Sequence, residues 1–253
     1  MDQTEIYLKE LLIDLKENPA VVFTGAGVST NSGIPDFRGT EGFYKTHHEE
    51  ELAVNALFKN PDKFYTAFQK RFTSVFHAKP NKTHEILADL ETLGYIKGII
   101  TQNVDRLHQK GGSKHVIEFH GNIFFYDLIK LNRRNNSYRF LKEDVPYTEI
   151  ANNDIINYKI DDQTFYKPQV VLFGEGISSW SESVELAKTS DLHIIMGTSY
   201  QVYPFNMVSY ENPQAKVYVI NNEPIEYNGR CKQIIGDSSD LLIKLIKMLK
   251  SDN

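Results

Sequence analysis

The sequence predicts an α/β protein built on a mostly parallel sheet, and three observations lead there. Short apolar runs without polar alternation recur at Ala20 to Phe23, Ile96 to Thr101, Leu192 to Met196 and Lys216 to Ile220. Such runs are typical of parallel strands buried on both faces. Helical patterns lie between them, and each run ends in small or polar residues: TGAGVS, TQNVD, GTSYQVYP and NNE. In a doubly wound sheet the carboxyl ends of the strands converge on one crevice, so four such ends mark one ligand site.

The elements follow in order. Residues 4–17 place Ile6, Leu8, Leu11, Leu12 and Leu15 at helical spacing, with Asp2 and Thr4 as cap candidates. After the first strand a helix is expected to start near Ser29. Further helices are expected at 81–93, 181–189 and 238–250, the last with an apolar stripe of Leu241, Leu242, Leu245, Ile246 and Leu249. A fifth strand is read, more weakly, at Val170 to Phe173. Two regions break the alternation: 41–80, rich in aromatics and helix formers, and 122–168, polar and Asn- and Tyr-rich. The expected organisation is a single domain over 1–253. Its large part comprises 1–40, 81–121 and 169–253, and its small part is made of two insertions, 41–80 and 122–168.

Bulk properties exclude several classes. The chain has 253 residues with 41% hydrophobic and 24% charged, an ordinary globular mixture. A formal net charge of −5 argues against gripping nucleic acid, and the basic patch at Lys130, Arg133 and Arg134 is too small to reverse it. One cysteine, Cys231, makes neither an internal disulfide nor a multi-thiolate zinc site. The first residues lack the apolar core of a signal peptide, and no run is long enough to span a bilayer. A cytoplasmic protein with no membrane or nucleic-acid partner is expected; the oligomeric state is not legible.

Each strand end carries two readings. Gly25 and Gly27 let a backbone approach phosphate oxygens, yet a glycine pair after a strand is often only a turn, and Thr30 stands where a third fingerprint glycine would be. In TQNVD, Gln102, Asn103 and Asp105 offer two amides and a carboxylate suited to ribose hydroxyls or a carboxamide; an Asn or Asp there is equally a helix cap. Asn221 can hydrogen-bond a ribose or simply make a turn. His120, before a glycine in EFHGN, can act as a general base near neutral pH. The other seven histidines read as structural or solvated, and no metal-binding spacing occurs.

Together, GAGVSTNSGIPDFRG, TQNVDRLH, the HG of EFHGN, KPQVVLFGE, GTSYQVYPF and VINNE resemble, in order and spacing, the signature blocks of the sirtuins, NAD-dependent protein lysine deacylases. The resemblance runs from about residue 5 to 250. It implies a Rossmann-like large domain and a small domain formed by the two insertions. It further implies that Gly25, Ala26, Gly27 and Thr30 line the NAD diphosphate, and that Phe37 and Arg38 cover the nicotinamide ribose. Ser29, Asn103 and Asp105 would organise the nicotinamide pocket, with Val104 beside them. Gln102 would contact the ribose, and His120 would be the general base. Gly197, Thr198, Ser199, Asn221, Asn222 and Asp237 would hold the adenosine half. The acylated lysine peptide would lie as an added strand between Val171, Phe173, Gly174, Glu175 and Gln201, Val202, Tyr203. The implied products are nicotinamide, O-acyl-ADP-ribose and free lysine.

The sequence departs from the family at one place. Most sirtuins bind a structural zinc through two Cys-x-x-Cys pairs after the HG, but residues 122–168 contain no cysteine and no histidine. No metal is expected, and Phe124, Phe125, Tyr126, Tyr138, Phe140, Tyr147, Tyr158, Phe165 and Tyr166 are expected to form an apolar core instead. In the acyl pocket, Tyr65 is present, but Phe68 stands where members that prefer acidic acyl groups carry Arg. Burying an unpaired acyl carboxylate is costly, so acetyl or longer apolar acyl groups are expected over succinyl, although Lys70 or Arg71 could still reach. Two other outcomes stay open: ADP-ribosyl transfer or NAD hydrolysis on the same pocket, and an NAD-sensing module without turnover.

Overall fold

The computed structural model describes residues 2–36, 49–152 and 155–251. The chain divides into two compact units, the first from residues 1–36, 79–119 and 178–253, the second from 37–78 and 120–177.

The first unit is a six-stranded parallel sheet. Its strands are β1 (Ala20–Thr24), β2 (Ile96–Thr101), β3 (Val116–Glu118), β9 (Leu192–Met196), β10 (Lys216–Asn221) and β11 (Lys232–Ile235), in the order β11-β10-β9-β1-β2-β3. The numbers β4 to β8 belong to the second unit. The chain builds outward from β1 through β2 to β3, then returns to the other side of β1 with β9. The topological switch therefore falls between β1 and β9, where such sheets bind ligands. All five residues of β1 and of β9 are buried, as expected of central parallel strands.

Helices cover both faces. α1 (Gln3–Glu17) is capped by Asp2, whose side chain accepts from the Thr4 N–H at 2.9 Å. It packs with α4 (Lys82–Thr92) and α8 (Ser238–Ser251) around Ala20, Val22, Ile99, Ile194, Met196 and Ile220. The opposite face holds α7 (Trp180–Lys188) and a 3-10 helix at Phe205–Glu211. There Phe23 meets His193, Tyr200 and Phe205 edge to face at 5.1–6.4 Å. No helix among the described residues is long and apolar enough to cross a membrane.

The loops after β1 and β9 interlock. The Gly25 N–H donates to the Met196 carbonyl at 3.2 Å and the Gly27 N–H to the Gly197 carbonyl at 2.8 Å. A Cβ on Gly27 would lie 2.8 Å from that same oxygen. Gly197 has φ +60°, and a Cβ on it would lie 2.5 Å from the Val28 nitrogen. These glycines are required by the approach of one strand-end loop to the other. The segment after β1 is a 3-10 helix over Ala26–Ser32, so it begins three residues before the expected position near Ser29. Gly25 turns the chain directly out of the strand, and Gly33 ends the helix in the left-handed region at φ 81°.

The second unit contains α2 (Val54–Lys59), α3 (Pro61–His77) and a three-stranded antiparallel sheet. Its strands are β4 (Gly121–Asn132), β5 (Ser137–Pro146) and β8 (Thr164–Val170), in the order β5-β4-β8. A short α6 (Tyr147–Ile150) leads into the paired strands β6 (Ala151–Asn152) and β7 (Ile155–Ile156). The fifth parallel strand expected at Val170 to Phe173 is not formed. The strand there is β8; it ends at Val170 and pairs antiparallel with β4. Beyond it, the Val171 N–H goes to the His120 carbonyl, and Gly174 turns the chain at φ 94°.

Aromatic rings fill this unit. Phe64, Tyr65, Phe68, Phe72 and Phe76 form the buried face of α3. Tyr65 stacks on Tyr158 at 3.8 Å, and Phe76 on Tyr147 at 4.6 Å with Phe124 against its edge at 5.4 Å. Tyr126 and Phe165 are fully buried. Phe140 departs from the expected core and is 50% exposed. It sits on β5, the edge strand, where only one neighbouring strand covers it. Among the described residues no group of three or more His, Cys, Asp or Glu is placed to hold a metal ion.

Because Gly197 combines a positive φ with a blocked Cβ direction, Gly197→Ala is expected to cost roughly 2–4 kcal/mol. Urea unfolding followed by circular dichroism checks this; a change under about 0.5 kcal/mol, the range of an inert surface substitution, would sink the packing argument.

Candidate active site at the strand ends

The loops after β1 and β2 converge on one buried hydroxyl. Ser29, fully buried, donates to Asp105 Oδ2 at 2.7 Å. Its oxygen accepts from Asn103 Nδ2 at 3.1 Å, and His84 Nε2 lies 3.4 Å away. The same Asn103 amide donates to the Gly25 carbonyl at 3.1 Å. Asp105 also accepts the Leu107 N–H at 2.9 Å, which starts the short helix α5 (Leu107–Lys110). The Asp105 carboxylate thus meets the first N–H of that helix with one oxygen and joins the polar cluster with the other.

The tautomer of His84 follows from its neighbours. The Asn81 N–H donates to His84 Nδ1 at 3.2 Å in the capping box of α4. The ring proton must then sit on Nε2, facing Ser29. Ser29 Oγ so accepts from Asn103 and His84 and donates to Asp105, which saturates it. Behind His84 lies His108, edge-on with ring centroids 4.9 Å apart. His108 Nε2 is 2.9 Å from Thr24 Oγ1, which in turn donates to Thr101 Oγ1 at 2.8 Å. Thr101 Oγ1 accepts the Asn103 N–H at 3.0 Å, tying both strand ends to the cluster.

Burial sets the charges. It lowers His84 from 6.5 to about 4, and His108 falls well below 6.5 through burial and then through His84. Both rings are neutral at pH 7. Burial raises the Asp105 carboxyl, opposed by the hydrogen bonds from Leu107 and Ser29. The sequence reading left His84 and His108 as structural. A signal for His84 was present: an Asn cap followed three residues later by a side chain able to return the bond.

The remaining strand-end residues of the first unit form a largely hydrogen-bonded rim of hydroxyls and amides with one carboxylate, Asp237. Gln102 Nε2 donates to Thr198 Oγ1 at 2.9 Å, and Thr198 Oγ1 also accepts the Tyr200 N–H. Thr30 is exposed, and its hydroxyl donates to the Gly27 carbonyl at 3.0 Å. Ala26, Val104 and Ser199 are half-buried. The Asn221 amide donates to the Glu223 carbonyl at 2.9 Å, a turn contact, and Asn222 beside it is exposed. Asp237 accepts the Ser239 and Asp240 N–H groups ahead of α8, and its other oxygen accepts from Asn31 at 3.0 Å. Gln201 and Tyr203 are exposed, Tyr203 at 77%, and Val202 is half-buried.

His120, Val171, Phe173, Gly174, Glu175, Tyr65 and Phe68 belong to the second unit. His120 is half-buried in the turn between β3 and β4. Phe173 pairs with Ala53, and its carbonyl accepts the Val54 N–H at 3.0 Å. Glu175 pairs with Lys167 at 3.1 Å, and accepts from the Tyr138 hydroxyl at 3.1 Å and the Leu172 N–H at 2.9 Å. Tyr65 donates its hydroxyl to the Tyr166 carbonyl, and Phe68 stacks on Phe64. Phe37 and Arg38 lie outside the described residues.

The donor set fits NAD. Neutral hydroxyls and amides suit ribose and diphosphate oxygens, and Asp105 retains accepting capacity on both oxygens for a carboxamide. A doubly wound sheet with this cluster at its switch point defines a dinucleotide-type site.

Comparison with known proteins agrees. Residues 25–204 match the Sir2 family, and the chain belongs to it. It is 36% identical over 226 residues to an NAD-dependent protein deacetylase of Sulfolobus acidocaldarius, covering 88% of this chain and 87% of that one. It is likewise 36% identical over 250 residues to an NAD-dependent protein deacylase of Pyrococcus furiosus, covering 93% and 94%. A solved Sir2 enzyme structure superposes with a TM-score of 0.84 at 31% identity, covering 98% of this chain and all of that one. A Sir2–p53 peptide–NAD+ complex superposes at 0.81 with 28% identity over 96% and 99%.

His84 yields a pH prediction. Its folded pKa lies below its unfolded value, so the unfolded chain binds the extra proton. Stability from this group is complete above about 6.5 and is lost as pH falls toward about 4. The difference in unfolding free energy between wild type and His84→Asn is expected to shrink by up to about 1.4 kcal/mol per pH unit across that window. Urea unfolding from pH 4.5 to 7.5 checks it; a difference independent of pH overturns the neutral assignment.

Proposed function

We propose that this chain removes acyl groups from protein lysine side chains at the expense of NAD, releasing nicotinamide, O-acyl-ADP-ribose and free lysine. The observation that carries the reading is the buried cluster in which Asn103 and Asp105 hydrogen-bond a saturated Ser29 hydroxyl at the switch point of a Sir2-family sheet.

When bound, NAD supplies an electrophilic ribose carbon whose bond to nicotinamide breaks. The chain's own residues orient and isolate that bond. Asp105 and Asn103 present a carboxylate and an amide to the carboxamide of the nicotinamide, and Ser29 fixes both through direct hydrogen bonds. Gln102, Thr198 and Ser199 offer neutral groups to the ribose and adenosine side. Asn103 is 7% exposed and Asp105 4%, so little water reaches the reacting bond. An imidazole nitrogen of His120 takes the proton from a ribose hydroxyl. The acylated peptide lies as an added strand between 171–175 and 201–203 in this reading.

His120→Ala is expected to lose at least 100-fold in deacylation while ADP-ribose binding stays within about threefold of wild type. Mass spectrometry with an acetyl-lysine peptide reports O-acetyl-ADP-ribose, and calorimetry reports binding. Full activity in the variant removes His120 from the mechanism. Nicotinamide release independent of acylated peptide would favour ADP-ribosyl transfer or NAD hydrolysis. Binding without turnover on any acyl-lysine would mark a sensing module.

Acyl choice follows from α3. The Tyr65 hydroxyl is engaged with Tyr166, Phe68 is apolar, Lys70 is exposed, and Arg71 is buried with its guanidinium 5.6 Å from the Phe72 ring. Removal of acetyl is expected to exceed removal of succinyl by roughly tenfold or more in kcat/KM on matched peptides, the cost of leaving a carboxylate unpaired. Faster desuccinylation overturns this preference.

A further inference from the structure

A concavity of about 620 Å³ lies at the tip of the β4–β5 hairpin, with Lys130, Asn132, Arg133, Arg134, Arg139 and Gln163 among its lining residues. The ladder sets Lys130 directly opposite Arg139. Residues so paired share a face, and like charges there repel. Arg133 and Arg134 stand in the turn joining the two strands, which Asn136 closes in the left-handed region at φ 49°. One small surface thus gathers three guanidinium groups and an ammonium.

Neighbouring acids offset this charge only in part: the Lys130 ammonium acts on Asp161, as the least of the causes that lower its carboxyl. Among the described residues no carboxylate is within ion-pair distance of Lys130, Arg134 or Arg139. Arg133 donates to the backbone carbonyl of Asp162 at 3.1 Å, and the Asp162 carboxylate is paired with Lys159 at 3.1 Å. Asp161 accepts the Gln163 and Thr164 N–H groups at 2.7 and 2.8 Å, which hold its carboxyl below the usual range. Placing like charges opposite each other costs stability unless an anion bridges them.

The size and chemistry select the anion. The volume is that of a small-molecule site. Arginine forks match phosphate oxygens two at a time, and an oligophosphate spreads several charges over such a span. The chain as a whole carries −5, so the surroundings offer no extended basic track for a long polyanion. We propose that the β4–β5 hairpin tip binds a compact oligophosphate, two or three linked phosphate groups, free or carried on a nucleotide.

Calorimetry on the full chain at low salt tests this with sodium tripolyphosphate and ATP. Wild type is compared with K130Q/R139Q, and ADP-ribose binding serves as a control for the strand-end site. Tripolyphosphate is expected to bind one to one and to weaken roughly tenfold or more in the variant, with ADP-ribose affinity unchanged. Equal binding of ATP, lost in the same variant, means the phosphate chain alone is recognised; binding of ATP only, lost likewise, assigns the nucleotide form. Should the double variant unfold early, Arg134→Gln at its exposed turn position gives the same readout with a smaller loss. The proposal fails if wild type binds neither ligand or if charge removal leaves affinity unchanged. It fails also if a single-stranded oligonucleotide binds through these cations while tripolyphosphate does not.

Discussion

The Ser29 hydroxyl is the constraint around which the large unit is arranged. A serine oxygen has one proton and two lone pairs, and here all three are assigned: Asp105 takes the proton, Asn103 and His84 fill the lone pairs. The three partners come from different places: the loop after β2 supplies Asn103 and Asp105, and the first turn of α4 supplies His84. Such an arrangement requires the 3-10 helix to leave β1 at one angle. That angle requires the loop after β9 to lie against Gly25 and Gly27 without side chains between them. Backbone packing at the switch point and side-chain chemistry in the cluster are thus one geometric problem with one solution.

Much of this was legible in the sequence, for identifiable reasons. Central strands have both faces buried, so β1, β2, β9 and β10 announce themselves as apolar runs, and their polar ends name the site. The edge strands β3 and β11 are only three and four residues long and carry mixed burial, which leaves little pattern to read. β8 was misread because VVLF looks like a buried parallel strand, while the strand itself is TFYKPQV with a proline inside. His84 was passed over because its partners lie far away in the chain, and only the cap of α4 is local. The glycines were read as room for phosphate; the structure shows that they first make room for each other.

The second unit reaches order by a different route. Its sequence lacks cysteines, and the weak patterning of 122–168 hides a sheet whose inner face is aromatic. Rings at 64, 65, 68, 72 and 76 recur along one face of α3, and tyrosines and phenylalanines from the sheet and from α6 close on them. Aromatic side chains bury large areas with few rotatable bonds, so a small unit gains much packing for little entropy. The Tyr65 hydroxyl, committed to the Tyr166 carbonyl, anchors α3 to β8.

Electrostatics gives the cluster its final logic. The nicotinamide ring of NAD carries a positive charge until its glycosidic bond breaks, so a protonated histidine nearby would oppose binding. His84 and His108 are buried side by side; burial lowers both, and His84 lowers His108 further. They therefore act as neutral hydrogen-bonding groups across the physiological range. Asp105 is the one carboxylate in the cluster; burial raises it, and the hydrogen bonds from Leu107 and Ser29 oppose that rise only in part. With both histidines neutral, Asp105, whose carboxyl burial raises, is the one group of the cluster that can carry a negative charge. The same burial that shapes the pocket therefore also sets its charge.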